Sequence, residues 1–554
     1  MKYYFIAIAG LLFILLNGCK KTESDAPINF TTSLDSINQQ LNIKDSIQLS
    51  LYLKSTMPRN GIAISINIKR NDNQTTTFNL DTTTNNSTII FKTGGFRVQT
   101  SYTITIKVNS RSVLTNNAIK TYNAINDPIG RATITYKSIP FEISIPNYPE
   151  PQFGLASIQN GNSGTLLYTV DGIEHIIATP GTRYPSPPLH FIKTPTTEWV
   201  FEDYYWDGKM DGARNYSFLD KRGTIAYANH GTEAINPWPL GELYVVRTSG
   251  QRLSWTKISE LKSFFHGVAS GDLNNDGLPD IVGVKFPGLT TGTWVNNALE
   301  PYFQLPNQQF QEQRNLMALS SAIDDHSGST ALVLDVMGDN RPEIIRCEYS
   351  GNLNNPSSRY GFAIYKYNGT TNKYEFVKKP ASLGVFQNMN QGATSIQPGD
   401  FNKDGNIDLA IATEGNPGNY IQIWNGNGQG DFTPGQSLLY TEDQVEFREF
   451  EVADFDEDGW PDIILHPTRN TRSLLFFPNG GNSPYGIILQ NCLWKNNNGN
   501  FSFLTKQLSV PSINPGFLRG FFINGKIKFI GFESTPGFPA NFNKFSLHEI
   551  VVSF

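Results

Sequence analysis

The chain has 554 residues, 39% apolar and 17% charged. It is therefore globular and too long for one core, which stops growing at roughly 250–300 residues. A net charge of −5 and a pI of about 5.9 leave no basic footprint and argue against nucleic acid as a partner. The surplus of Asn, Thr, Gly, Phe and Tyr over Ala, Glu and Lys predicts an all-β protein.

Lys2 precedes an apolar run from Tyr3 to Leu16, too short to span a bilayer and the right size for the core of a signal peptide over residues 1–18. The run closes on Leu16-Asn17-Gly18-Cys19, which resembles the lipobox of bacterial lipoproteins. That resemblance implies cleavage before Cys19, acylation of Cys19, a membrane partner reached through the lipid anchor, and residence at the outer membrane of the bacterial cell envelope. Two or more acyl chains, at about 0.8 kcal/mol per buried methylene, suffice for stable anchoring. Residues 19–28 are polar and read as a tether. Cys347 and Cys492 stand in different repeats and read as buried thiols rather than a disulfide.

Over residues 29–126 the pattern is strand, turn, strand, with period-2 alternation at 46–53, 62–68, 87–92 and 102–108. It resembles the immunoglobulin-like or fibronectin-like modules of surface lipoproteins. The resemblance implies a small β-sandwich acting as a spacer.

Internal repeats organise residues 135–554. The segment Asp272-Leu-Asn-Asn-Asp276-Gly-Leu-Pro-Asp280 runs into an apolar strand. Asp400-Phe-Asn-Lys-Asp404-Gly-Asn-Ile-Asp408 and Asp454-Phe-Asp-Glu-Asp458-Gly-Trp-Pro-Asp462 do the same. A fourth copy, Asp335-Val-Met-Gly-Asp339-Asn-Arg-Pro-Glu343, replaces Gly by Asn and the last Asp by Glu. A fifth, Asp203-Tyr-Tyr-Trp-Asp207-Gly-Lys-Met-Asp211, keeps its acids without the apolar strand. Acid-poor copies at 520–528 and around Asn160 bring the count to seven units of about 60 residues, the period of a four-stranded propeller blade. A seven-bladed β-propeller is predicted, with six and eight blades as the alternatives. In these motifs the chain resembles the FG-GAP/VCBS repeats of integrin-alpha-like calcium-loop propellers, from about residue 154 to the last.

The resemblance implies structural calcium. This cation takes about six to eight oxygens, and a short loop supplies them when alternate residues turn inward and a Gly permits the sharp bend. Positions 1, 3, 5 and 9 then offer Asp272, Asn274, Asp276 and Asp280; Asp400, Asn402, Asp404 and Asp408; and Asp454, Asp456, Asp458 and Asp462, with Gly459 at the bend and the Trp460 carbonyl at position 7. The sets Asp335, Asp339, Glu343 and Asp203, Asp207, Asp211 are poorer, with Met337 and Tyr205 at position 3. The competing reading is a row of Asx-turns that cap backbone N–H groups without metal.

None of the seven His residues pairs at metal-ligand spacing, and no nucleophile elbow, phosphate loop or zinc-protease helix occurs. Six residues before the first acid of four repeats stand His266, Ser329, Thr394 and Arg448, expected as a polar ring at the channel mouth or, alternatively, as solvated loop residues. Tyr204, Tyr205, Trp206 and Trp238 are expected as exposed platforms for sugar rings, whereas Trp424 and Trp494 are expected in blade packing. The expected function is non-catalytic binding or adhesion to a glycan or protein ligand. The alternative is a polysaccharide lyase or hydrolase on the same scaffold.

Overall fold

The computed structural model describes residues 28–35, 47–58, 60–72, 74–94, 96, 100–110, 117–126, 132–143, 165–179, 187–205, 213–229, 240–260, 263–285, 298–318, 327–350, 361–382, 384, 392–413, 419–440, 446–468, 492–504, 518–534 and 544–554. The signal peptide, Cys19, most of the tether, the copy around Asn160, Trp206, Asp207, Asp211 and Trp238 lie outside them. Every regular element among the described residues is a strand, as the composition predicts. The chain divides near residue 131 into two compact units.

The first unit contains β1 (Phe30–Thr32), β2 (Gln48–Leu53), β3 (Ile62–Arg70), β4 (Thr76–Thr84), β5 (Thr88–Lys92), β6 (Thr100–Ser110) and β7 (Asn117–Asn126). They form two antiparallel sheets, ordered β1-β2-β5 and β4-β3-β6-β7. Alternation puts Ile62, Ile64, Ile66 and Ile68 of β3 on one face, beside Tyr102, Ile104, Ile106 and Val108 of β6. Leu49 and Leu51 of the other sheet join the same core. Each such side chain contributes about 1.5–3 kcal/mol of burial. Tyr122 of β7 donates to Asp35 just after β1 (2.6 Å), and Asp35 also accepts from Lys120 (2.8 Å), which ties one sheet's edge to the other's.

Among the described residues, the second unit forms seven four-stranded antiparallel sheets. Their first strands are Leu166–Val170, Ala213–Phe218, Phe265–Gly271, Ser327–Leu334, Ala393–Gly399, Glu446–Ala453 and Leu518–Ile523. From the second sheet to the seventh, each first strand packs on the next, and that of the seventh packs on that of the first. Apolar layers fill the gaps: Phe191 with Phe532 and Phe545 between seventh and first, Tyr168 and Ile177 with Tyr227 and Tyr244 between first and second, and Val284 with Ile344 between third and fourth. Between fifth and sixth, Gln436 exchanges hydrogen bonds with both backbone groups of Phe501 (2.8 and 3.0 Å). Between sixth and seventh, buried Arg519 donates to Glu449 and to His466 Nδ1 (2.9 Å), and His466 Nε2 donates to the Gly520 carbonyl (2.7 Å). Because both faces are covered, second strands such as Asp280–Lys285 and Asp408–Thr413 are buried at every residue and read as continuous apolar runs. The arrangement resembles a β-propeller.

The seventh sheet is completed from far away in sequence. Its first three strands are C-terminal, and the fourth is β8 (Thr133–Glu142), paired with Lys544–Ser553 from Thr133↔Ser553 to Glu142↔Lys544.

Candidate metal centre

The acidic segments 272–280, 335–343, 400–408 and 454–462 each join the first strand to the second in the third to sixth sheets. Their folding is local. The position-1 carboxylate accepts backbone N–H groups from positions 5 and 6: Asp272 from Asp276 and Gly277 (3.0 and 2.8 Å), and Asp400 from Asp404 and Gly405 (both 3.1 Å). Asp335 does the same with Asp339 and Asn340 (3.2 and 2.7 Å), and Asp454 accepts from Gly459 (2.7 Å). Such a bend needs two left-handed residues. Position 4 supplies one, with φ of 60°, 70°, 57° and 59° at Asn275, Gly338, Lys403 and Glu457. Position 6 supplies the other at Gly277, Gly405 and Gly459, and Asn340 takes φ of 65° in Gly's place, as Asn tolerates best among residues with a Cβ.

The position-9 acid is a buried staple. Asp280 accepts from Leu273 N (2.9 Å) and from Gln304 N on the third strand (2.8 Å). Asp408 accepts likewise from Phe401 and Gly426, and Asp462 from Phe455 and Asn496. A carboxylate has about four lone-pair sites, so each staple keeps acceptor capacity for a cation. Burial pushes the Asp280 carboxyl up to about 7, against the pull of its two backbone donors, and the nearby Asp276 and Asp272 charges add to the rise.

The side chains converge to different degrees. Oxygens of Asp454, Asp456 and Asp462 lie within 4.8 Å of one another, as do those of Asp335, Asp339 and Glu343. In the other two loops position 3 is Asn and bonds its neighbour: Asn274 Nδ2 donates to Asp276 Oδ2 (2.9 Å), and Asn402 Nδ2 to Asp404 Oδ2 (3.0 Å). Position-2 carbonyls join three of the loops to the next sheet. Leu273 O accepts from Tyr374 OH and Arg341 Nη2 (both 3.0 Å), Val336 O from Gly430 N (3.1 Å), and Phe401 O from Asn496 Nδ2 (2.9 Å).

Other expected site residues sit differently. Asp203 is on the fourth strand of the first sheet, not after a first strand, and bonds His190 Nδ1 (2.9 Å). The counterpart of the position-1 acid in the second sheet is Asp220, which accepts from Arg222 N and Thr224 N (2.8 and 2.9 Å). His266, Ser329, Thr394 and Arg448 do occupy equivalent places. Each falls where the pairing of a first strand slips by one residue, a β-bulge. They are strand residues rather than solvated loop residues: His266 and Ser329 are buried, and Ser329 and Thr394 hydroxyls point at carbonyls of the second strand, Cys347 O and Ala412 O (both 3.5 Å). The Arg448 side chain lies outside the described residues. Tyr205 is no open platform, since it stacks on Trp255 (5.1 Å between centroids), and Tyr204 packs against the layer around Phe191. Trp424 and Trp494 are buried in their sheets, and Cys347 and Cys492 are buried and free.

One polar row carried no signal in the sequence. Across the first sheet, Tyr168 stacks on His175, His175 Nδ1 meets His190 Nε2 (3.0 Å), and His190 Nδ1 meets Asp203. With Asp203 accepting from Nδ1–H of His190, His190 Nε2 accepts from His175 Nδ1–H. That leaves His175 Nε2 as a bare lone pair, buried and without a hydrogen-bond partner among the described residues. Burial, reinforced by His190, lowers His175 to about 4.

Residues 400–465 match the FG-GAP-like repeat family. The match runs from one acidic loop through the fifth sheet to the next loop and into the strand after it. It marks an FG-GAP-like repeat region, of a family known for calcium loops. Among solved structures, the periplasmic gluconolactonase of Pseudomonas aeruginosa aligns over 63% of this chain and 97% of its own, at 11% identity and a TM-score of 0.31. No curated protein matches by sequence.

Proposed function

We propose that this chain is a lipid-anchored protein of the bacterial envelope that binds a glycan or protein ligand without catalysis, on a closed seven-bladed propeller held by structural calcium. The strand order β1-β2-β5 over β4-β3-β6-β7, with one shared core, supports a fibronectin-like sandwich as its spacer.

The observation that carries the calcium reading is the 454–462 loop, where three carboxylates face one another within 4.8 Å. Like charges so placed repel unless a cation joins them. Asp454, Asp456, Asp458 and Asp462 would hold the ion in that loop, and Asp272, Asn274, Asp276, Asp280 and Asp400, Asn402, Asp404, Asp408 in two others. When bound, calcium neutralises these acids and fixes the loop. The chain's own residues do the rest: position 1 closes the bend, position 9 staples it to the third strand, and position-2 carbonyls pass the constraint onward.

Protein stripped with a chelator and retitrated with calcium is expected to melt higher, each site contributing about 2.7 kcal/mol at a hundredfold excess over Kd. Asp458→Ala should lose one site's share. The same protein should be retained on a polysaccharide or envelope-protein column without releasing products. A melting curve indifferent to calcium and chelator overturns the calcium reading, and released oligosaccharides overturn the non-catalytic one.

A further inference from the structure

The 335–343 loop keeps its neighbours' backbone and departs from their chemistry. Position 3 is Met337, whose thioether is a poor partner for a hard cation that wants oxygen. Lys366, on the third strand of the same sheet (Phe362–Asn368), sets its ammonium 2.6 Å from Asp339 Oδ2 and 3.7 Å from Met337 Sδ. The acids it approaches, Asp335, Asp339 and Glu343, are the three whose oxygens lie within 4.8 Å of one another. Hydrogen bonding to Asp339 comes first among the causes that raise the Lys366 pKa, and the Glu343 and Asp335 charges also favour its protonated form. The Asp339 carboxyl is lowered in turn, chiefly by Lys366.

We infer that the fourth sheet's loop is closed by the Lys366 ammonium acting as a built-in cation, and that this loop takes no calcium. One charge carried on the chain stands where a soluble divalent ion is proposed for the other loops, and Met337 accommodates the change because no third oxygen is needed. The sixth sheet has Lys495 at the same register, one residue after Trp494 as Lys366 follows Tyr365, but keeps a carboxylate, Asp456, at position 3. The pairing of lysine with thioether therefore marks the fourth loop. The inference rests on the calcium reading only for the loops used as comparison.

The test has a metal-free arm and a metal-counting arm. In excess chelator, Lys366→Met and Asp339→Asn should each lower the melting temperature by about 1–2 °C, a modest shift because both groups are partly exposed, and the double variant should fall no further than either single one. Additive losses overturn the inference, as does a Lys366→Met protein that melts unchanged. In the second arm, Asp339→Asn should leave the bound calcium per chain unchanged, whereas Met337→Asp with Lys366→Met should raise it by one equivalent. Loss of one equivalent on Asp339→Asn overturns the inference. A wild-type protein that binds no calcium overturns the calcium reading instead, and the chelator arm still decides the role of Lys366.

Discussion

The same connection, first strand to second, is built in two ways in six of the seven sheets. In the first and seventh sheets it is a two-residue turn, Asp171-Gly172 and Asn524-Gly525, with φ of 50° and 78°, and of 53° and 72°. Two consecutive left-handed residues make a type I′ turn, whose twist matches the strands and which needs no side-chain partner. In the third to sixth sheets the same connection is eight residues long and is held by carboxylates on backbone N–H groups. Backbone geometry alone secures one region, and the other depends on buried charge. The two should therefore fail under different insults.

The largest effect is expected at a staple. Asp462→Ala leaves the N–H groups of Phe455 and Asn496 without the acceptor that buries them, a loss of about 3–4 kcal/mol in denaturant unfolding. The equivalent truncation in a short turn, Asn524→Ala, has only its left-handed φ to strain, about 1 kcal/mol. Equal losses at the two positions would erase the distinction.

Acid should strike the first sheet. His175 is neutral in the fold, with its pKa lowered to about 4 from a usual 6.5, so the unfolded chain takes up a proton first as pH falls. Its contribution is whole above pH 6.5 and is lost as pH falls from there through 4, about 3 kcal/mol in all. His175→Phe keeps the stack on Tyr168 and should flatten stability over that window, as read from melts in chelator at stepped pH. If its slope equals that of the wild type, the sensitivity belongs to other groups.

The smallest effect concerns coupling between loops. Lys403 lies 4.3 Å from the Trp460 ring centroid, joining the fifth sheet's loop to the sixth's. Lys403→Met should cost about 0.5 kcal/mol, in line with exposed cation–π contacts. A cost that vanishes in the Trp460→Leu background would place it in that contact, and an unchanged cost would place it elsewhere.

What the sequence disclosed follows from how local each signal is. Buried on one side, β3 and β6 alternate cleanly, and Ile62 to Ile68 announce themselves. The edge strands β4 and β7, reading Thr76-Thr-Phe-Asn-Leu-Asp-Thr and Asn117-Ala-Ile-Lys-Thr-Tyr, mix polar groups on both faces and were not anticipated. The acidic loops were legible because their donors and acceptors lie within nine residues. Asp203 misled because its acids imitate the motif while its strand is the fourth of a sheet; the missing apolar run after it was the clue. The spacing of six residues from bulge to acid holds at Asp220 as well, since the slip in the second sheet falls between Ala213 and Asn215. The row from Tyr168 to Asp203 left no trace, because it forms only when separate strands align.

The pairing of β8 with Lys544–Ser553 sets the order of events during synthesis. Thr133 and its partner Ser553 are 420 positions apart, so β8 emerges early and must wait for nearly the whole unit to be made. Until then both strands are bare edges, able to pair with any other chain that offers one. Contacts this distant slow folding, because loop closure precedes any reward from the contact. A chaperone that shields residues 133–142 before release, or crowding that raises the concentration of unfinished chains, would thus govern the yield of this protein more than the stability of any blade.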